Sequence, residues 1–221
     1  MKLGRKEKKP WPTKAAMEQI YSRHLWGGDD TDFYSGEGSH IPELVDPYIE
    51  AVRLFLTSFA QPITVCDLGC GDFNVGKQLA KFTKKYTAVD IVPSLIERNK
   101  EQFTDENVEF HCLDLAKDML PIGDCAIVRH VLQHLSNGEV QSILKKLAKF
   151  KYLVLTEHVP GGTFFPNKEI ISGQGIRIKK QSGVDILAPP FNFHVLEETQ
   201  LLKVCLENEK GNVITTLYTV F

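Results

Sequence analysis

The sequence has little of what would mark a specialised chain. Its 221 residues hold only five cysteines, an odd number scattered at 66, 70, 112, 125 and 205. Most sit inside apolar runs such as ITVCDLG and DCAIVRH, the pattern of buried thiols and not of a disulfide framework. Cys66 and Cys70 lie four apart, but no second pair or nearby histidine completes a site of zinc type, so no metal is expected. Charge of one sign is also missing: a net charge of -2 gives the chain as a whole no electrostatic footprint for nucleic acid or an anionic membrane. No apolar run approaches the ~20 residues of a membrane span. The basic start MKLGRKEKK leads into Pro10, Trp11 and Pro12, not into the apolar stretch of a signal peptide, and reads as a solvated tail. The cytoplasm is the expected compartment. Internal repeats and low-complexity tracts are absent, and an apolar content of 43% is ordinary for a chain that buries one core.

What is present is a change of pattern along the chain. Residues 14–24 space their apolar groups as a short helix, which ends at Trp26, Gly27 and Gly28. The following GGDDTDFYSGEGSH is too rich in glycine and polar side chains to be core, so it is a linker, lid or binding loop. Pro42 opens a second helical pattern that runs through Phe59 and is closed by Pro62. Beyond Pro62, short β-branched runs alternate with amphipathic stretches, as in a parallel sheet with helical crossovers. Strands are predicted at 63–67, 86–90, 108–112, 125–129 and 152–157, and helices near 75–81, 94–103 and 137–150, giving five β-α steps. Residues 161–198 read as a substrate-side insertion, and 201–207 with 213–221 as an antiparallel hairpin around EKGN. The expected organisation is therefore a segment 1–40 (basic tail, helix and lid loop) ahead of a domain 41–221. The fold class is α/β, a Rossmann-like doubly wound sheet of seven strands, mostly parallel, with a reversed C-terminal hairpin.

Chemistry concentrates in VCDLGCGDFNVGKQLA. A strand delivers Asp67, Gly69 and Gly71 to a tight turn before a helix, which brings backbone amides close to a ligand. Nineteen residues after Gly71, Asp90 ends the next strand, placed to accept hydrogen bonds from two ribose hydroxyls. A dinucleotide fingerprint wants Gly or Ala where Asn74 stands, and the acid Asp72 is unsuited to a pyrophosphate. Both details favour a different nucleotide.

These motifs resemble the class I methyltransferases that use S-adenosylmethionine, whose first motif is matched by Asp67 to Gly71. The resemblance spans roughly residues 63–157 plus the closing hairpin. It implies S-adenosyl-L-methionine as cofactor, Asp90 on its ribose, Asp114 and Leu115 of HCLDLA beside its adenine, and CAIVRHVLQHLS as the fourth-strand motif. Asp72, Ile91 and Arg129 join the implied cofactor contacts. A narrower similarity links the chain to a little-characterised bacterial group of these enzymes, through Trp26-Gly27, Ser35 to Ser39, Asn167, Gly173, Arg177 and Pro190 to Phe193. Gly69 stands where that group has proline, Val75 where it has tryptophan, and His130 where it has aspartate after arginine.

Methyl transfer asks the protein to align an acceptor, exclude water and, where needed, remove a proton. His130, directly after the fourth strand, is the first candidate base, with His158 at the end of the fifth. His134, inside the amphipathic run, reads instead as a histidine satisfied by backbone. Glu157, Arg177, Phe191, Asn192 and His194 are candidates for the acceptor pocket, and Tyr34 and Ser35 for a lid over the methionine end of the cofactor. The expected activity is methyl transfer to O or N of a small-molecule acceptor. The alternatives are an RNA or protein methyltransferase, or a cofactor-binding module without turnover.

Overall fold

The computed structural model describes residues 11–29, 31–206 and 211–221. The basic tail and Glu209-Lys210 of the hairpin turn lie outside the described residues. Seven strands form one sheet: β1 (Thr64–Leu68), β2 (Lys85–Asp90), β3 (Val108–Cys112), β4 (Cys125–Arg129), β5 (Tyr152–Val159), β6 (Glu197–Cys205) and β7 (Asn212–Thr219). Their order is β3-β2-β1-β4-β5-β7-β6, with β1 to β5 parallel and β7 antiparallel to both of its neighbours. The order reverses between β1 and β4, which is where a doubly wound sheet opens a crevice at its carboxyl edge.

Period-two alternation builds a core on each face of the sheet. Cys66, Leu68, Ala126, Val128, Leu153 and Leu155 pack with helices α1 (Thr13–Ser22) and α5 (Asn137–Leu147) and with the insertion. Val65, Ala88, Cys125, Ile127 and Val154 point the other way, towards α2 (Pro42–Leu56) and the short α3 (Gly76–Leu79). Helix starts follow local chemistry. Pro42 and Pro93 open α2 and α4 (Pro93–Gln102), where a missing N–H costs nothing. Ser136 and Glu139 form a complete capping box at α5.

The five expected β-α steps are corrected. Residues 113–124 form turns between β3 and β4, because Asp114 and Asp118 bond backbone amides of their own segment before Pro121 and Gly123. The connection after β5 carries a single 3-10 turn at Arg177–Lys180 in place of a crossover helix. β6 begins at Glu197, four residues ahead of the expected strand, and shortens the insertion accordingly.

Candidate active site

The turn after β1 is shaped by two glycines in the left-handed region, Gly69 at φ +92° and Gly71 at φ +57°. A Cβ on Gly69 would collide with Val131, and one on Gly71 with the Ser35 hydroxyl, so the cradle is built for glycine alone. Asp90 organises it: Oδ2 accepts from Gly71 N at 3.1 Å and Oδ1 from Val92 N at 3.1 Å. Burial raises the Asp90 carboxyl above its ordinary range, opposed by these amide bonds.

Over this turn lies a cavity of about 590 Å³. It brings together Ser35, Gly69, Gly71, Asp90, Ile91, Asp114, Leu115, Arg129, His130 and His158. Trp26, His134, Gln133 and Glu139 are among the further lining residues, and sequence reasoning left all four out of the site. The signal for two of them was legible, because His130, Gln133 and His134 stand at i, i+3 and i+4 on one turn.

Two residues of the first motif face elsewhere. Asp67 shares the parity of Val65, so its carboxylate points to the α2 face and accepts from Tyr86 Oη at 2.9 Å. Burial pushes its carboxyl up to about 7. Asp72 fastens the loop of residues 35–40: Oδ2 accepts from Ser35 N at 2.8 Å and lies 2.6 Å from His40 Nε2. Tyr34 stacks on His40, with centroids 4.2 Å apart, and does not line the cavity. The loop is tied further by Asn74 Nδ2 to Ser39 O at 2.8 Å, by Arg129 Nη2 to Gly38 O at 2.5 Å, and by an Arg98–Asp32 ion pair. Gly36 and Gly38 thus form a roof over the cavity.

His130 has a left-handed backbone, φ +57°, which turns its ring into the cavity. Its Nε2 is buried and has no hydrogen-bond partner among the described residues. Burial, then the adjacent Arg129 charge, hold the imidazole well below the ordinary histidine value, so it is neutral. His134 donates Nδ1–H to Gly173 O at 3.1 Å, and burial takes its pKa down to about 4. The backbone satisfaction expected for His134 is present, yet its ring also lines the cavity and packs 5.1 Å from that of Trp26.

None of the five residues of the expected acceptor set lines this cavity. Arg177 is 1% exposed, and its guanidinium donates to the carbonyls of Leu132 and Leu135 at 3.0 and 2.8 Å and to Asn137 Oδ1 at 2.7 Å. It holds the turn beneath the site. Glu157 serves the same turn, its Oε1 accepting from Leu132 N at 3.1 Å, and burial pushes its carboxyl up to about 8. Phe191 is core, whereas Asn192 and His194 are exposed. The insertion reaches the cavity instead through Gln174, Ile176 and Lys179.

Sheet order, glycine turn and edge carboxylate together define the class I methyltransferase fold. Residues 65–150 match the family described as "Methyltransferase domain". A phosphoethanolamine N-methyltransferase of Triticum aestivum is 27% identical over 153 residues, which are 66% of this chain and 29% of that protein. The chain therefore spans under a third of that relative's length. Among solved structures, the N-methyltransferase NodS of Bradyrhizobium japonicum WM9, in complex with S-adenosyl-L-homocysteine, matches at 13% identity and TM-score 0.63, covering 92% of this chain and 98% of that one. Magnesium protoporphyrin IX methyltransferase of Synechocystis PCC 6803, with bound S-adenosylmethionine, matches at 17% identity and TM-score 0.58, covering 96% and 99%. At such identities the shared property is the fold.

Proposed function

We propose that this chain binds S-adenosylmethionine in the 590 Å³ cavity and methylates an oxygen or nitrogen of a small-molecule acceptor, with His130 as the base. The observation that carries the reading is one cavity lined both by the glycine turn with Asp90 and by the ring of His130, whose buried Nε2 has no hydrogen-bond partner among the described residues. The cradle fits the cofactor: Gly69 and Gly71 leave room for close backbone approach, and the Asp90 carboxylate, which accepts from the amides of Gly71 and Val92, stands beside them as an acceptor at the cavity. That relatives of the same fold hold S-adenosylmethionine or its product supports the choice of ligand.

The cofactor supplies a methyl group on a sulfonium, so the leaving-group chemistry is its own. Asp90 holds the ribose, while the roof of Gly36 and Gly38 excludes water from the reacting end. When bound, the cofactor would supply the methyl group and leave as a neutral thioether, and on this chain's side His130 Nε2 would take up the acceptor's O–H or N–H proton. Trp26, Ile176 and Leu206 give the acceptor apolar walls, and a net charge of -2 does not announce a basic groove, which favours a small molecule over RNA. His158, which also lines the cavity, is a second proton acceptor in reach of this space. A cytoplasmic location completes the reading.

Calorimetric titration with S-adenosylmethionine, S-adenosylhomocysteine and NAD tests it. The first two are expected to bind, with binding weakened at least tenfold in Asp90→Ala. Tight binding of NAD, or of none of the three, would overturn it.

A further inference from the structure

We infer that Gln133 is a positioning residue that holds His130 as its Nδ1–H tautomer, leaving Nε2 as the ring's lone-pair nitrogen. The inference rests on the reading of His130 as the base, and it follows from one chain of hydrogen bonds whose directions are fixed at each end.

The first fixed end is a peptide group. His158 N can only donate, and it lies 3.0 Å from the Gln133 side-chain oxygen, so that atom is Oε1 and accepts. The remaining side-chain atom of Gln133 is then Nε2, a donor, and it lies 3.3 Å from His134 Nε2. His134 must accept there. That agrees with the second fixed end, because His134 Nδ1 lies 3.1 Å from the carbonyl of Gly173, which can only accept. His134 is therefore neutral and carries its proton on Nδ1, in keeping with the strong burial of its ring.

The same Oε1 also faces His130 Nδ1 at 3.5 Å. An oxygen that accepts from His158 N presents no proton to His130, so Nδ1 must carry one for the contact to be attractive. In a neutral ring this leaves Nε2 bare. Nε2 is the atom that is buried and meets no partner among the described residues, on a ring that borders the cavity. The charged and titratable groups around the ring are Arg129, His134 and His158, and all three disfavour a second proton on it. Gln133 itself is 6% exposed and cannot titrate, so it fixes the tautomer without becoming a competing base.

Gln133 thus acts through His130 and does not touch the reacting atoms. A wrong tautomer would present an N–H to the acceptor where a lone pair is required, with geometry unchanged.

The test reads tautomers directly, in protein labelled with ¹⁵N-histidine and free of cofactor and acceptor. Long-range proton–nitrogen correlation spectra, assigned with His130→Gln and His134→Gln, are expected to show both rings protonated on Nδ1 only. Gln133→Glu keeps an oxygen towards His158 N and His130 but replaces the donor facing His134, so His134 should gain a proton on Nε2 while His130 keeps its tautomer. Gln133→Leu removes the acceptor, so a folded sample should show His130 Nε2–H, and kcat should fall about tenfold or more with the affinity for S-adenosylmethionine unchanged. A wild-type His130 protonated on Nε2, or an unchanged His130 signal in folded Gln133→Leu, overturns the inference. If Gln133→Leu does not fold, the wild-type and Gln133→Glu spectra decide it alone. Failure of the base reading is separate: it would appear as full turnover in His130→Gln with the spectra as expected.

Discussion

Ser35 and Asp72 exchange two hydrogen bonds: Ser35 N donates to Asp72 Oδ2 at 2.8 Å, and Asp72 N donates to Ser35 Oγ at 2.7 Å. This reciprocal pair seats the glycine-rich roof directly on the turn that cradles the ligand. Tyr21 Oη joins it 3.0 Å from Ser35 Oγ, so one hydroxyl links α1, the loop and the turn.

Ser35→Ala removes that hydroxyl and leaves the Asp72 amide without its acceptor. An unsatisfied buried donor costs about 1–3 kcal/mol, which the closed roof would bear. The expected outcome is an affinity for S-adenosylmethionine lowered about tenfold by calorimetry, and an unchanged affinity would disconnect the roof from the ligand.

Gly69→Ala combines a left-handed backbone with a direct collision against Val131 at the start of the His130 turn. Strain of about 1–3 kcal/mol is expected, read as a lower midpoint in urea together with loss of cofactor binding. Gly138→Ala is the control: nothing lies within 4 Å of its added carbon, and it should leave both measurements unchanged.

Arg177→Lys should not rescue Arg177→Leu. A guanidinium reaches the carbonyls of Leu132 and Leu135 and Asn137 Oδ1 at once, whereas an ammonium cannot match that planar fork. Both variants are expected to lose about 3 kcal/mol or more of unfolding free energy. Retention of full stability by the lysine variant would show that charge alone holds the turn.

Glu157 gives a pH signature. Its carboxyl is raised by burial to about 8 in the folded protein, from an ordinary value of 4.5. The folded state therefore binds more protons than the unfolded one between these values. Stability from this group is complete below about 4.5 and is lost as pH rises through 8. Glu157→Gln keeps the acceptor for Leu132 N and removes the ionisation. Its stability relative to wild type should rise between pH 5 and 8, by at most about 1.4 kcal/mol per pH unit. A difference independent of pH would mean that Glu157 is already charged at pH 5.

Much of the fold was legible because alternation and helix spacing are local. β3 and β4 run over the expected residues, and α5 starts at the expected Asn137. The connection 113–124 carries no helix, because Asp114 and Asp118 take backbone amides of their own segment. The acceptor side was not legible. Arg177, Asn192 and His194 combine with phenylalanines in a way that suits a pocket, but whether a polar side chain faces a cavity, a carbonyl or solvent is set by the chain packed against it.

The sequence by itself determined the α/β sheet, the glycine turn and the carboxylate at the end of β2, since each depends on residues adjacent in the chain or on strand periodicity. The tertiary structure decided which of those residues share a space. It turned Asp67 to the far face by strand parity, drew Asp72 to Ser35 and His40, and spent Arg177 on backbone carbonyls. It also placed Gln133 between two histidines and a peptide amide. Such contacts depend on how the loop 35–40, the turn 130–136 and the insertion close on the sheet, and local sequence carries no record of that closure.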